Sequence, residues 1–246
     1  MNNFLIAMLA DAWAIDKAGM DSVIAQARKF SEQDFTAAVE RLQADGSSRP
    51  APYDVIEGAA VIPVRGTLTK EASIFSIFTG GRSYAGIQAQ VEAALADPDV
   101  EKIVFKIFSP GGIVPGVSEL ASFLSRANEK KPIYTYVDGQ ATSAAYWIGS
   151  VGRKIGAPAT AQVGSIGVRA VHVEESTLAE RIGIQVTHLT AGRYKAVGNP
   201  DEPLSDKDRA YLQERMDTFY TLFVDAVAEY RGMTQGAVLA AAEGKI

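Results

Sequence analysis

The chain has 246 residues, 47% of them hydrophobic and 22% charged, an ordinary globular composition with room for one large α/β domain or one domain plus appendages. Its formal net charge of −5, from 24 basic and 29 acidic side chains with no run of like charges, argues against a nucleic-acid binder, which needs a basic patch to neutralise phosphates. The absence of cysteine excludes a disulfide framework, a thiolate metal site and a cysteine nucleophile.

The opening "NNFLIAMLADAWAI" looks like a signal peptide but lacks a positively charged start, and Asp11 interrupts its apolar run after about eight residues. No stretch approaches the roughly 18 apolar residues that a membrane span needs. The segment reads as an apolar piece that packs on something, in a soluble, cytoplasmic chain. Residues 1–50 read as a helical segment and linker. Asp21 can cap "SVIAQARKF", Ser31 and Asp34 form a cap-like pair before "FTAAVERLQ", and "DGSSRPAPYD" (45–54) is a polar linker.

Residues 51–246 form the main domain in this reading. "AAVIPV" (59–64), "KIVFKIF" (102–108) and "IYTYV" (133–137) are short apolar β-branched runs, the pattern of strands buried on both faces. "YAGIQAQVEAALADP" and "VSELASFLSRANE" between them carry apolar residues at helical spacing. The alternation predicts an α/β fold with parallel strands and crossover helices. "SIFSIFTGG" (73–81) sets Ile74, Phe75, Ile77 and Phe78 in a loop that could serve a subunit contact, a substrate groove or local packing. "SDKDRAYLQERMDTFYTLFVDAVAEYRG" predicts a long helix with Ser205 and Asp208 as its capping box, an apolar face from Leu212 to Tyr230, and Gly232 as its stop.

Two stretches that follow strands can carry chemistry. In "FSPGG" (108–112) the glycines let the backbone turn so that N–H groups beyond the strand end could bind an oxyanion; the plain alternative is a tight strand-to-helix turn. In "DGQATSAAYW" Ser143 falls in the first turn of a helix, where free N–H groups favour developing negative charge. It can be a nucleophile with the Ala144 amide beside it, or Thr142 or Ser143 can be a simple N-cap. His172 and His188 sit in apolar strand-like surroundings and read as structural. A lysine can be the base only if it is neutral. With a pKa of about 10.4 only about 0.04% of an exposed lysine is neutral at pH 7, and lowering that pKa to about 7.5 costs about 4 kcal/mol of differential solvation. Lys195 in "HLTAGRYKAVGNP", flanked by Tyr194, Ala196 and Val197, is the candidate; the alternative is a solvated loop lysine.

Taken in order, "SPGG", "ATSAAYWIGS", "VGSIGV" and "GRYKAVGNPDEPLSDKDR" resemble the S49 peptidases, the signal peptide peptidase A family, over residues 57–232. The resemblance implies a serine–lysine protease on the ClpP/crotonase fold. Ser143 matches the nucleophile and Lys195 the general base; Ser165 matches a hydroxyl that holds the lysine amine. Gly112 and Ala144 match the oxyanion-hole donors. Where relatives carry two glycines after the serine, this chain has Ala144 and Ala145. The resemblance also implies protein or peptide substrates cut near small or apolar side chains, a homo-oligomeric ring in which the lysine can come from a neighbour, and no cofactor or metal.

The apolar start and the missing anchor are similar to the phage minor capsid protein C branch. That branch implies a head-maturation protease acting on scaffold and other head proteins, in the host cytoplasm or the assembling prohead. The chain ends at "AAAEGKI", short of where such relatives close the domain, which implies a C-terminal truncation. The alternatives are a bacterial cytoplasmic signal-peptide-degrading protease of the same family, a silent structural capsid or scaffold protein, and a crotonase-like enzyme acting on coenzyme A thioesters. No phosphate-binding loop or metal-ligand spacing points to a nucleotide or metal enzyme.

Overall fold

The β-branched runs become neighbouring strands. A computed structural model describes residues 13–15, 17–28, 53–72, 76 and 80–246. The Ser31–Asp34 cap, residues 45–52 of the linker, and the side chains of Ile74, Phe75, Ile77 and Phe78 lie outside the described residues.

In chain order the elements are β1 (Trp13–Ile15), α1 (Lys17–Arg28), β2 (Asp54–Ile56), β3 (Ala59–Arg65), β4 (Leu68–Thr69), β5 (Arg82–Ser83), α2 (Tyr84–Ala96), β6 (Lys102–Ser109) and β7 (Gly111–Ile113). There follow α3 (Val117–Lys130), β8 (Ile133–Thr142), α4 (Ala144–Gly149), β9 (Ile155–Gly156), β10 (Gln162–Gly164), α5 (Ser176–Arg181), α6 (Asp206–Arg231) and α7 (Gln235–Ala241). Among the described residues the central sheet has the order β10-β8-β6-β3-β2, with β9 added to β8. β3, β6, β8 and β10 run parallel, and β2 folds back antiparallel on β3. α2 and α3 are the crossover connections such strands require.

The core lies on one face of the central sheet. Ile103, Phe105 and Ile107 of β6 are fully buried in one cluster with Ile87 and Val91 of α2 and Leu120 and Leu124 of α3. The expectation of strands buried on both faces is corrected here. β6 alternates, and its other face bears Lys106, which pairs with Asp138 at 3.3 Å, and Phe108, which is 52% exposed. An alternating strand with charges on one side belongs to a sheet with one solvated face.

Asp138 and Gly139 form an irregularity within β8: Ile107 stands opposite Val137, but Phe108 stands opposite Gln140. β8 therefore runs on to Thr142 and delivers Ser143 at the sheet's end.

The long C-terminal helix forms as its sequence implies. Ser205 Oγ accepts the Asp208 N–H at 3.2 Å, and Gly232 closes α6 with a left-handed φ of 62°. Phe223 of α6 stacks on Trp147 of α4, with ring centroids 4.5 Å apart. At the other end of the chain, α1 begins at Lys17, so Asp21 lies inside that helix and pairs with Lys17 rather than capping it. The preceding apolar residues form β1, which joins the smaller sheet β1-β7-β4-β5.

Candidate active site

Ser143 stands where β8 ends and α4 begins, and its backbone is the least ordinary part of the site. It has φ 56° and ψ −124°, a conformation that a non-glycine residue rarely adopts and that costs of order 1–3 kcal/mol. The surroundings hold it there. Its N–H donates to Gly164 O at 2.8 Å, and its C=O accepts from Trp147 N–H at 2.9 Å. Ser143 holds the N-cap position of α4, but its side chain makes no capping bond there; its Oγ makes one long bond of 3.4 Å to Gly167 O. Ser143 is only 1% exposed.

The glycines of "FSPGG" do not lead straight into a helix. They form β7, and α3 begins later, behind Gly116. Ser109 fixes this strand: its Oγ donates to Gly66 O at 2.7 Å and accepts from Gly111 N–H at 3.2 Å. Both glycines are required by close approach. A Cβ on Gly112 would stand 2.0 Å from Leu68 O, and one on Gly111, where φ is 107°, would stand 2.2 Å from Ala14 O and 3.0 Å from Ser143 Cβ. On the far side, Tyr84 Oη donates to Ile113 O at 2.7 Å, and complete burial pushes its phenol pKa far above the ordinary value. The backbone of β7 is thus pinned beside Ser143. Ala144, fully buried, heads α4 with an N–H that no preceding helical turn can satisfy.

Ser165 lies close by for a topological reason. β10 pairs with β8 so that Gly164 faces Thr142, and the next residues, Ser143 and Ser165, both leave the sheet with positive φ. Ser165 N–H donates to Lys245 O at 2.6 Å. Beside it opens a cavity of about 350 Å³, lined among others by Ile15, Ser165, Gly167, Arg169, Met216 and Tyr220.

Lys195 is not brought to Ser143. It is exposed, on a loop whose Tyr194 stacks on Tyr211 of α6 at 4.4 Å, and its ammonium has no hydrogen-bond or ion-pair partner among the described residues. The histidines lie elsewhere. His172 Nε2 bonds Asn199 O at 2.8 Å, and His188 Nε2 meets Asp201 Oδ2 at 3.0 Å. Ser109 and Gly111 are the site residues that sequence reasoning passed over, although both belong to "FSPGG"; what singles them out is contact across the fold, not spacing.

The sequence profile of Peptidase family S49 matches residues 125–246, a span that contains Ser143, Ala144, Ser165 and Lys195. The capsid assembly protease C of Escherichia phage lambda is 33% identical over 79% of this chain and 44% of its own. Residues 125–246 belong to peptidase family S49. A second relative, the head-tail preconnector protein GP5 of Enterobacteria phage P21, is 32% identical over 88% of this chain and 43% of its own, so the chain matches less than half the length of either phage protein. Its parallel strands and crossover helices are those of the ClpP/crotonase-like α/β fold that the S49 resemblance implied. Among solved structures, an enoyl-CoA hydratase/isomerase family member aligns over 77% of this chain and 86% of its own at 17% identity and a TM-score of 0.37, too low to carry any inference about ligand or reaction.

Proposed function

We propose that this chain is a serine endopeptidase that uses Ser143 as its nucleophile and Lys195 as its base, and that it processes scaffold or other head proteins during phage capsid maturation. The observation that carries the proposal is Ser143 itself: a buried serine in a strained backbone conformation, its side chain making no capping bond, beside the pinned glycine strand. Strain of that kind persists where the fold over-determines it, and such places cluster at reactive sites. The similarity to a phage capsid assembly protease supports the choice of substrate class.

In the proposed reaction Ser143 Oγ attacks the scissile carbonyl as its proton passes to neutral Lys195. The N–H groups of Gly112 and Ala144 take the developing oxyanion, a contribution worth several kcal/mol where such donors are preorganised. The protonated lysine returns its proton to the leaving amine and then activates the water that frees Ser143. Ser165 holds the lysine amine. Lys195 serves the Ser143 of a neighbouring chain in a ring; its exposure and its lack of a partner among the described residues of its own chain support that assignment. An exposed ammonium is a poor base, and burial against a second subunit supplies the desolvation it lacks.

The test is hydrolysis of a purified head-scaffold protein by the parent chain, Ser143→Ala and Lys195→Ala, read as fragments by mass spectrometry. Fragments from the parent alone are expected. Cleavage that survives in Ser143→Ala would remove the nucleophile assignment. No cleavage by any form would favour a silent head protein, the reading that the exposed Lys195 otherwise fits.

A further inference from the structure

β1 is clamped on both edges. Trp13 N–H donates to Arg169 O at 2.9 Å, and Arg169 N–H donates back to Trp13 O at 2.8 Å. The N–H and C=O of one strand residue point to the same edge, and those of the next point to the other, as the alternation of an antiparallel ladder requires. Ala14 therefore directs its backbone groups at β7, where it stands opposite Gly112. One point in space, where a Cβ on Gly111 would sit, is 2.2 Å from Ala14 O and 3.0 Å from Ser143 Cβ. The Ala14 carbonyl thus lies beside both the nucleophile and the proposed oxyanion donor, and Ala14 is fully buried.

The segment is seated by its side chains as well. Trp13, Ile15 and Met20 form a buried cluster of their own, bordered by Ile24, Ile113, Val171 and Val173. Gly19 of α1 packs so tightly on Pro110 that a Cβ there would approach the ring carbon at 2.6 Å. Apolar burial on this scale holds a short strand in place without a ligand's help.

Resting on the reading of Ser143 as the nucleophile, we propose that residues 13–15 fill the peptide-binding groove as a substrate-like strand, and that this arrangement is a self-closed form of the enzyme. The groove runs between β7 and the backbone at Arg169. An extended protein substrate would add to the same edge of β7 by main-chain hydrogen bonds, so it enters only when β1 leaves. The seated strand is held rather than cut because no lysine or histidine reaches Ser143 from within its own chain among the described residues.

The test is a tether. The chain has no cysteine, so Trp13→Cys with Ile113→Cys introduces one pair of thiols at a directly opposed, non-hydrogen-bonded site, where antiparallel Cα atoms come close enough for a disulfide. In a Ser143→Ala background, binding of a fluorescent peptide with the sequence of residues 10–16 is measured by anisotropy, oxidised and reduced. Oxidation is expected to weaken binding by about tenfold or more, because the tether removes the dissociation that admits a competitor. Equal affinity in the two states would overturn the proposal. Ala14→Pro, which deletes the N–H aimed at β7, provides a second reading in the full chain. It should bind the peptide more tightly than the untethered parent, and unchanged affinity would count against the closed form. If the redox shift in binding appears but no form with Ser143 restored cuts any substrate, the peptidase reading fails and the groove assignment stands.

Discussion

Gly111 lies directly against Ser143: a Cβ on Gly111 would lie 3.0 Å from the Cβ of Ser143 and 3.0 Å from the carbonyl oxygen of Thr142. Gly111 also holds φ at 107°, a conformation that disfavours any side chain. Gly111→Ala therefore combines backbone strain of about 1–3 kcal/mol with a hard clash on Ala14 O, 2.2 Å away, and crowding of Ser143. The expected result is a lowered thermal midpoint and peptide hydrolysis reduced to the level of Ser143→Ala. An active, equally stable Gly111→Ala would show that β7 has room to move away from Ser143.

Tyr84 links the stability of β7 to pH. Its hydroxyl is the partner of Ile113 O, so Tyr84→Phe leaves that carbonyl unpaired at a cost of about 1–3 kcal/mol, measurable by denaturant unfolding. Burial raises the pKa of Tyr84, and burial is also the largest cause of the upward shifts of Tyr146 and Tyr230. The unfolded chain loses these protons as pH passes about 10, while the folded chain retains them. The stability they contribute is complete below that pH and falls above it. Unfolding free energy should decline between about pH 10 and 11, and less steeply in Tyr84→Phe.

Phe223 supports the site from behind. Its ring stacks on Trp147, in the helix that Ser143 begins, and it is fully buried. Phe223→Ala should destabilise the chain by about 3–5 kcal/mol, and hydrolysis should fall even at temperatures where the variant stays folded. Calorimetry paired with initial rates separates the two effects.

Lys195 gives a prediction about assembly. If the base is delivered by a neighbour, inactive Ser143→Ala and inactive Lys195→Ala chains should regain activity when mixed, because some junctions then combine an intact serine with an intact lysine. The rate as a function of mixing ratio measures this. Mixtures as inactive as their components would place the lysine and the serine in one chain.

Much of this was legible from residues alone, and particular elements show why. Ser205 and Gly232 mark the ends of α6 because caps are local chemistry, set by a side chain and the amides a few residues away. The parallel strands could be read from β-branched runs alternating with helical spacing. That Ile103, Phe105 and Ile107 face the core while Lys106 faces outward depends on which face the crossover helices cover, which no local run discloses. The Asp138–Gly139 pair has the composition of a turn, yet pairing with β6 keeps it inside β8 as an irregularity. Ser143 stood out by its place after a strand and in the first turn of a helix, but its φ of 56° is imposed by Gly164 and α4 together. β1 was legible only as something apolar that packs; its place against Gly112 is a long-range pairing.

The most direct measurement is to trap the acyl-enzyme. The reduced Trp13→Cys/Ile113→Cys chain, with Ser143 intact, is treated with a slowly deacylating peptide ester ending in alanine, and the adduct is located by mass spectrometry of proteolytic fragments. An acyl group on Ser143 that disappears in Ser143→Ala, and that is suppressed when the tether is oxidised, is the predicted result. An adduct on any other residue, or acylation that persists without Ser143, would contradict the assignment of this serine as the nucleophile.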